Sequence, residues 1–412
     1  MEPGLAYHPE KRRGSKVRPL KSLICARRAW QNRKAYRLAN DLVEIVTLTG
    51  GGHIAEFRFR KGTGHPSLNP LWTPPWKTIE PHHYRPEVHT SRYGPRRDGQ
   101  LLCGIAGHSI CLDCFGPPSD EEAEMGLSFH GEGPSKKWRK QNMRATSDRA
   151  ELTLSVNLPV AGLDFTRQIM LLRGESVVYF TETVENLRTA DHYFQWAEHV
   201  TLGPPFLSPG ASYVVVPARD GMTDPGGYDE GKALLTSGRK FRWPMAPSVG
   251  AGLVDLSHPF SRAGTGFVST LLLNRRRDFA FIGAVNTRLR MMIGYGFARR
   301  DFPWVALWDE NRAIVARPWN GRTQACGLEF STSPLPAGRH AAISEGPLFG
   351  VPAISCLPAR RQKTVNYCAF LTRLPQGFGR VHDIVLGPGC IRILGKGRKS
   401  FPVNASGLGL VV

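Results

Sequence analysis

The chain has 412 residues, 41% of them hydrophobic, with 44 glycines and 32 prolines. That apolar share permits a large core and excludes global disorder, and the glycine and proline load excludes an architecture of long helices in favour of many short strands and turns. The formal charge is +20, but residues 1–40 alone carry 11 Lys/Arg against 2 Asp/Glu, so much of the excess sits in one terminal stretch and a nucleic-acid partner is not expected.

No apolar run approaches the roughly 20 residues that cross a bilayer. The first 40 residues hold only the short apolar run Leu23-Ile24-Cys25-Ala26, too little for a signal-peptide core, so a soluble, cytoplasmic protein is expected. The eight cysteines are scattered, and Cys111 and Cys114 form a lone Cys-x-x-Cys. Without a second pair at zinc-finger spacing they read as buried, reduced thiols. There is no His-Glu-x-x-His, and no metal site is expected.

Taken in order, residues 1–35 are basic and aperiodic and read as a disordered extension. A single β-sandwich domain is expected over 36–412. Residues 42–48 and 53–59 alternate in polarity on either side of Gly50-Gly51-Gly52, which reads as a hairpin. The glycines are not a phosphate cradle, because no helical pattern follows them. Residues 69–84 form a proline-rich stretch holding Trp72 and Trp76, so they can be neither helix nor central strand. The two indoles are either a platform for a sugar face or a plug beneath a long loop.

Residues 116–127 carry the one strong helix signal: Ser119 as N-cap, Glu122 three residues on, and acidic residues in the first turn, the pattern of a capping box. From Arg149 onward, short alternating runs follow one another between turn residues with almost no helical period. This predicts an all-β fold, a large antiparallel sandwich. No fixed-period repeat points to a propeller.

Three segments carry chemistry. In Ala325-Cys326-Gly327-Leu328-Glu329-Phe330 one carboxylate stands among apolar and small residues, a setting that raises its pKa towards that of a useful base. Phe129-His130-Gly131-Glu132 and Gln195-Trp196-Ala197-Glu198-His199-Val200 each set a histidine beside large apolar groups, where imidazole can serve as acid or hydrogen-bond donor. The bland alternatives are a Glu on an edge strand, a His satisfying a buried turn and a core His bonded to a carbonyl. Glu198 directly precedes His199, and on a strand it points to the opposite face, so the two are not expected to pair.

On this all-β background the ordered motifs resemble the aldose 1-epimerase (galactose mutarotase-like) superfamily, including its hexose-6-phosphate epimerase branch. Phe129-His130-Gly131 followed by Trp138 is similar to the family's His-Gly segment, and His199 to its second His. Trp308, Trp319 and Gly327-Leu328-Glu329 are similar to its late Trp and terminal catalytic Glu segment. The resemblance implies a β-supersandwich that takes a monosaccharide or modified sugar in a concave face and needs no metal or redox cofactor. Carried onto this chain, it makes Glu329 the base that takes the anomeric proton and His199 the acid that protonates the ring oxygen. It has His130 hydrogen-bonding the sugar near that oxygen or C1. Trp72, Trp76, Trp138, Trp308 and Asp309 are the candidate sugar contacts. The family's sugar-binding Asp and Arg have no clean counterpart: Asp224, Asp229, Asp255 and Asp309 compete for the first, and Arg92, Arg96 and Arg97 for the second.

Two other functions stay open at this level. One is a non-catalytic sugar binder on the same fold. The other is a basic-tailed interaction protein whose binding of a polyanion is dominated by residues 1–35 and falls steeply with salt.

Overall fold

The computed structural model describes residues 23–229 and 231–411. Among these, a 14-stranded sheet faces an 8-stranded sheet, and a 3-stranded sheet follows near the C-terminus. All the strand pairings are antiparallel, as in Arg149–Leu158 against Leu163–Leu172 and Trp304–Asn311 against Gln324–Ser331. The protein is thus all-β, a sandwich of two large sheets, as composition and alternation predict.

The main core lies between the two large sheets. Trp196, Val200, Val305, Leu307, Leu328 and Phe330 come from the larger one, and Phe165, Phe180, Ile293 and Tyr367 from the smaller. The other face of the smaller sheet is covered by the C-terminal sheet, where Val177, Phe281 and Phe370 meet Ile384, Ile391 and Val403. Because side chains alternate along a strand, each core-facing set leaves a second set on the far face of the larger sheet. That far face carries the candidate site.

A polar cluster is sealed inside the core. Nε of Arg167 pairs with Glu182, and Nη2 of Arg167 lies 2.9 Å from Glu198. Glu198 also accepts Trp196 Nε1 at 2.8 Å and meets His108 Nε2 at 2.7 Å. Burial, ahead of the favourable Arg167 charge and the adverse Glu198 charge, pushes the Glu182 carboxyl up to about 8. Two carboxyls and one guanidinium therefore sit there with a proton held on one acid, which removes the uncompensated charge.

The hairpin at 42–59 is present as Val43–Leu48 and Ile54–Phe59. The helix with the Ser119–Glu122 capping box is present as Asp120–Glu124. The expected extension needs correction. Ile24–Trp30 is a strand that pairs with Arg33–Ala39, which in turn pairs with Val43–Leu48. Trp30, Ala35 and Leu38 are buried, and so is the Arg33 guanidinium, which donates to the carbonyls of Gly104 (2.5 Å) and Gly50 (3.0 Å). The abundant Arg and Lys masked a hairpin whose few apolar side chains find their partners through later strands. Residues 1–22 of the expected extension lie outside the described residues. Pro86–Tyr93, Arg96–Leu102 and Arg339–Glu345 are short helices that the sequence did not signal, since none carries a sustained apolar stripe.

Candidate active site

Strand register brings the site together. His192–Leu202 lies between His108–Asp113 and Gln324–Ser331, with His199 opposite Ser109 on one side and Glu329 on the other. The result is a contact of 3.1 Å between His199 Nε2 and Glu329 Oε1. Thr201, two residues on and therefore on the same face, places Oγ1 3.0 Å from His199 Nδ1. This second contact fixes the plane of the imidazole. Gly327 plays the matching part for the carboxylate, because a Cβ there would lie 2.2 Å from Glu329 Oε1.

His130 reaches the same place from a turn. Its ring centroid is 4.9 Å from that of His199, at 68° between the ring planes. The turn needs two consecutive left-handed residues, His130 at φ 63° and Gly131 at φ 78°. The first is costly for a side chain with a Cβ. It is held by His130 N–H donating to Gly116 O at 3.1 Å and by Ser128 Oγ donating to Gly131 O at 2.6 Å. At Gly131 no other residue fits, since a Cβ would meet Leu112 O at 2.0 Å.

Electrostatics follow from burial. Glu329, His199 and His130 are only 2, 5 and 6% exposed. Burial pushes the Glu329 carboxyl up to about 8 and the His199 imidazole down to about 4. His130 is driven well below the usual histidine range by burial and, second, by His199. Near neutrality the Glu329–His199 pair therefore holds a single proton. His130 Nδ1 is buried with no protein partner, a hydrogen-bonding group left unspent at the site.

Aromatic rings border the pair. Phe129 stands edge-on to His130 at 4.4 Å, and Trp308 lies 6.0 Å from His199. Behind Trp308 are Trp319 at 5.8 Å and then Trp72 and Trp76, 6.0 and 5.1 Å from Trp319. Trp72 is buried in this cluster, whereas Trp76 and Trp308 are half-buried. The two readings of the tryptophan loop thus divide: Trp72 plugs, and Trp76 keeps an open edge while its Nε1–H donates to Leu102 O at 2.9 Å. Trp308 Nε1–H donates to Tyr228 Oη at 3.3 Å, and Tyr228 Oη–H to Glu310 Oε2 at 2.6 Å.

Two expected sugar contacts are elsewhere. Trp138 is in the sandwich core, 5.5 Å from Phe165 and beneath the Arg167 guanidinium, with its N–H on Gly133 O at 2.9 Å. Asp309 follows Trp308 on one strand and so faces the other way. Its Oδ2 accepts the Phe260 N–H at 2.9 Å, and burial raises its carboxyl to about 7. Glu198, by the same alternation, lies on the core side in the Arg167 cluster, away from Glu329. Thr201 and Tyr228 were missed. Thr201 was legible as the next residue on the His199 face; Tyr228 comes from a loop with no local signal.

No family model matches the chain, and neither does any curated protein. Solved structures do. A galactose mutarotase-like protein from Clostridium acetobutylicum superposes with a TM-score of 0.56 at 13% identity, over 86% of this chain and all of the other. The fold is galactose mutarotase-like. A protein provisionally described as an aldose 1-epimerase, from Klebsiella pneumoniae, gives a TM-score of 0.58 at 12% identity, over 85% of this chain and 88% of its own. One provisionally described as a mutarotase, from Salmonella typhimurium, gives 0.51 at 12% identity over 87% of this chain. At such identities the likeness to galactose mutarotase-like structures is one of fold, and residue roles rest on the geometry above.

Proposed function

We propose that this protein is an aldose 1-epimerase-like isomerase that interconverts sugar anomers by acid–base ring opening. The observation that carries the reading is the 3.1 Å contact between His199 Nε2 and Glu329 Oε1 with the His130 ring beside it. These groups are far apart in the chain, and they converge on the sheet face away from the core.

The chemistry needs one base and one acid on opposite ends of a C–O bond. Transfer of the pair's one proton from Glu329 onto His199 leaves Glu329 as carboxylate. Glu329 then takes the proton of the anomeric hydroxyl, the C1–O5 bond breaks, and His199 gives its proton to O5. C1 becomes an aldehyde carbon, rotation about C1–C2 presents its other face, and the same steps in reverse close the ring. The pair ends with the proton count it began with. His130 Nδ1, otherwise unpartnered, is free to hydrogen-bond the sugar near O5 or C1. Each positioned acid or base typically contributes about 10² to 10⁴ in rate.

The test is polarimetry on freshly dissolved α-glucose and α-galactose. Glu329→Gln keeps the size and the hydrogen-bonding edge but cannot accept the proton, and the expected result is loss of the catalysed rate with the fold retained. An unchanged rate would remove Glu329 from the mechanism.

A second reading, a non-catalytic sugar binder on the same fold, is favoured by the near-complete burial of the three groups. Calorimetric binding of a sugar with no acceleration of mutarotation would select it.

A further inference from the structure

Away from the His199–Glu329 pair, the hairpins at the start of the chain form an open concavity of about 500 Å³. Six cations line it, Arg27, Arg28, Arg37, Arg58, Arg60 and Lys61, with Glu44 as the one acidic residue of the lining. Along the sequence these residues fall at three separate places, 27–28, 37 and 58–61. Pairing of Ile24–Trp30 with Arg33–Ala39, and of Val43–Leu48 with Ile54–Phe59, brings them together. Arg58 alternates with the core residues Phe57 and Phe59, so it projects from the sheet face that lies away from the sandwich core.

The cations are held in place and under-compensated. Glu44 is spent on two of them: Oε2 accepts Arg37 Nε at 2.8 Å, and Oε1 accepts Arg58 Nε at 2.8 Å. Glu56, just outside the lining, adds contacts of 3.6 Å to Arg28 and 3.4 Å to Arg58. Arg60 is buried with Nη1 on Asn40 O at 2.6 Å. Burial first, and then the nearby Arg37 charge, work against its cationic form. Among the described residues, Glu44, Glu56 and, beside Arg60, Asp41 are the carboxylates set against these six cations, so the concavity keeps a positive excess. Like charges so crowded repel, and fixing them in place by Glu44 and Asn40 concentrates the field in the groove. Guanidinium forks match phosphate oxygens in geometry as well as sign.

We propose that this groove binds an oligophosphate anion. The phosphates belong either to a free oligophosphate or to a nucleic-acid backbone, which share the chemistry the groove recognises.

The test is isothermal titration calorimetry of the full chain with sodium tripolyphosphate and, separately, with a single-stranded oligonucleotide of about 12 residues, between about 50 and 200 mM salt. Arg27 and Lys61 are exposed, so Arg27→Glu combined with Lys61→Glu reverses charge at the rim without opening the core. Tripolyphosphate should bind the wild type, weaken with salt, and lose about tenfold or more in affinity in the double variant. An oligonucleotide that shows the same loss extends the source to nucleic-acid backbones, whereas one that fails to bind limits it to free oligophosphates. No binding of tripolyphosphate at low salt, or equal affinity in the wild type and the double variant, would overturn the proposal. Equal affinity would assign the binding to charges elsewhere, such as those of residues 1–22, which the double variant leaves intact.

Discussion

Gly327 and Glu329 lie on one face of the same strand, so close that a Cβ on the glycine would sit 2.2 Å from the carboxylate oxygen facing His199. The glycine is in a regular strand and not in the left-handed region, so alanine there costs little in backbone terms and acts by displacing Glu329. Gly327→Ala should therefore slow mutarotation by about 10²-fold, the effect of misplacing a catalytic group by about 1 Å, with little change in the thermal midpoint. Polarimetry beside a melting curve checks it. A full-rate variant would show that the carboxylate need not occupy this position.

The one-proton pair sets a pH profile. Below about 4, His199 and Glu329 are both protonated and there is no base; above about 8 both have lost the proton and there is no acid. The catalysed rate should form a bell with limbs near these values, after subtraction of the uncatalysed background. A rate that continues to climb beyond about pH 9 would be inconsistent with a pair that works with one proton.

Arg167 is the cation on which two buried carboxyls depend. Arg167→Met removes the charge while keeping much of the volume, and leaves Glu198 uncompensated inside the sandwich. The expected loss is about 3–5 kcal/mol at neutral pH, read as a lowered urea midpoint. A loss below about 1 kcal/mol would mean that the carboxyls neutralise themselves by taking up a proton.

Tyr228 links the Trp308 N–H to Glu310. Tyr228→Phe preserves the ring and deletes both hydrogen bonds. If Trp308 is a sugar-facing ring, sugar affinity should fall about two- to tenfold, the scale of a neutral hydrogen bond, while the pH limbs of the rate stay where they are. Affinity by calorimetry and a repeated pH profile separate this from a general loss of fold.

The sequence by itself determined the class of the fold and the facing of side chains within each strand. Glycine, proline and alternation called for an antiparallel sandwich, and the capping box at Ser119 and Glu122 was visible because its parts are three residues apart. The same alternation set Glu198 opposite His199, and it could have excluded Asp309 once Trp308 was assigned to the site. The tertiary structure alone decided which strands are neighbours. It joined His199 to Glu329, buried Trp138 against Phe165, made a strand of Ile24–Trp30, and gathered dispersed arginines into one groove. The physical reason is one of range. Backbone sterics and caps act over a few residues and leave a local pattern, whereas strand pairing gains its energy from partners far along the chain, which no window of sequence contains.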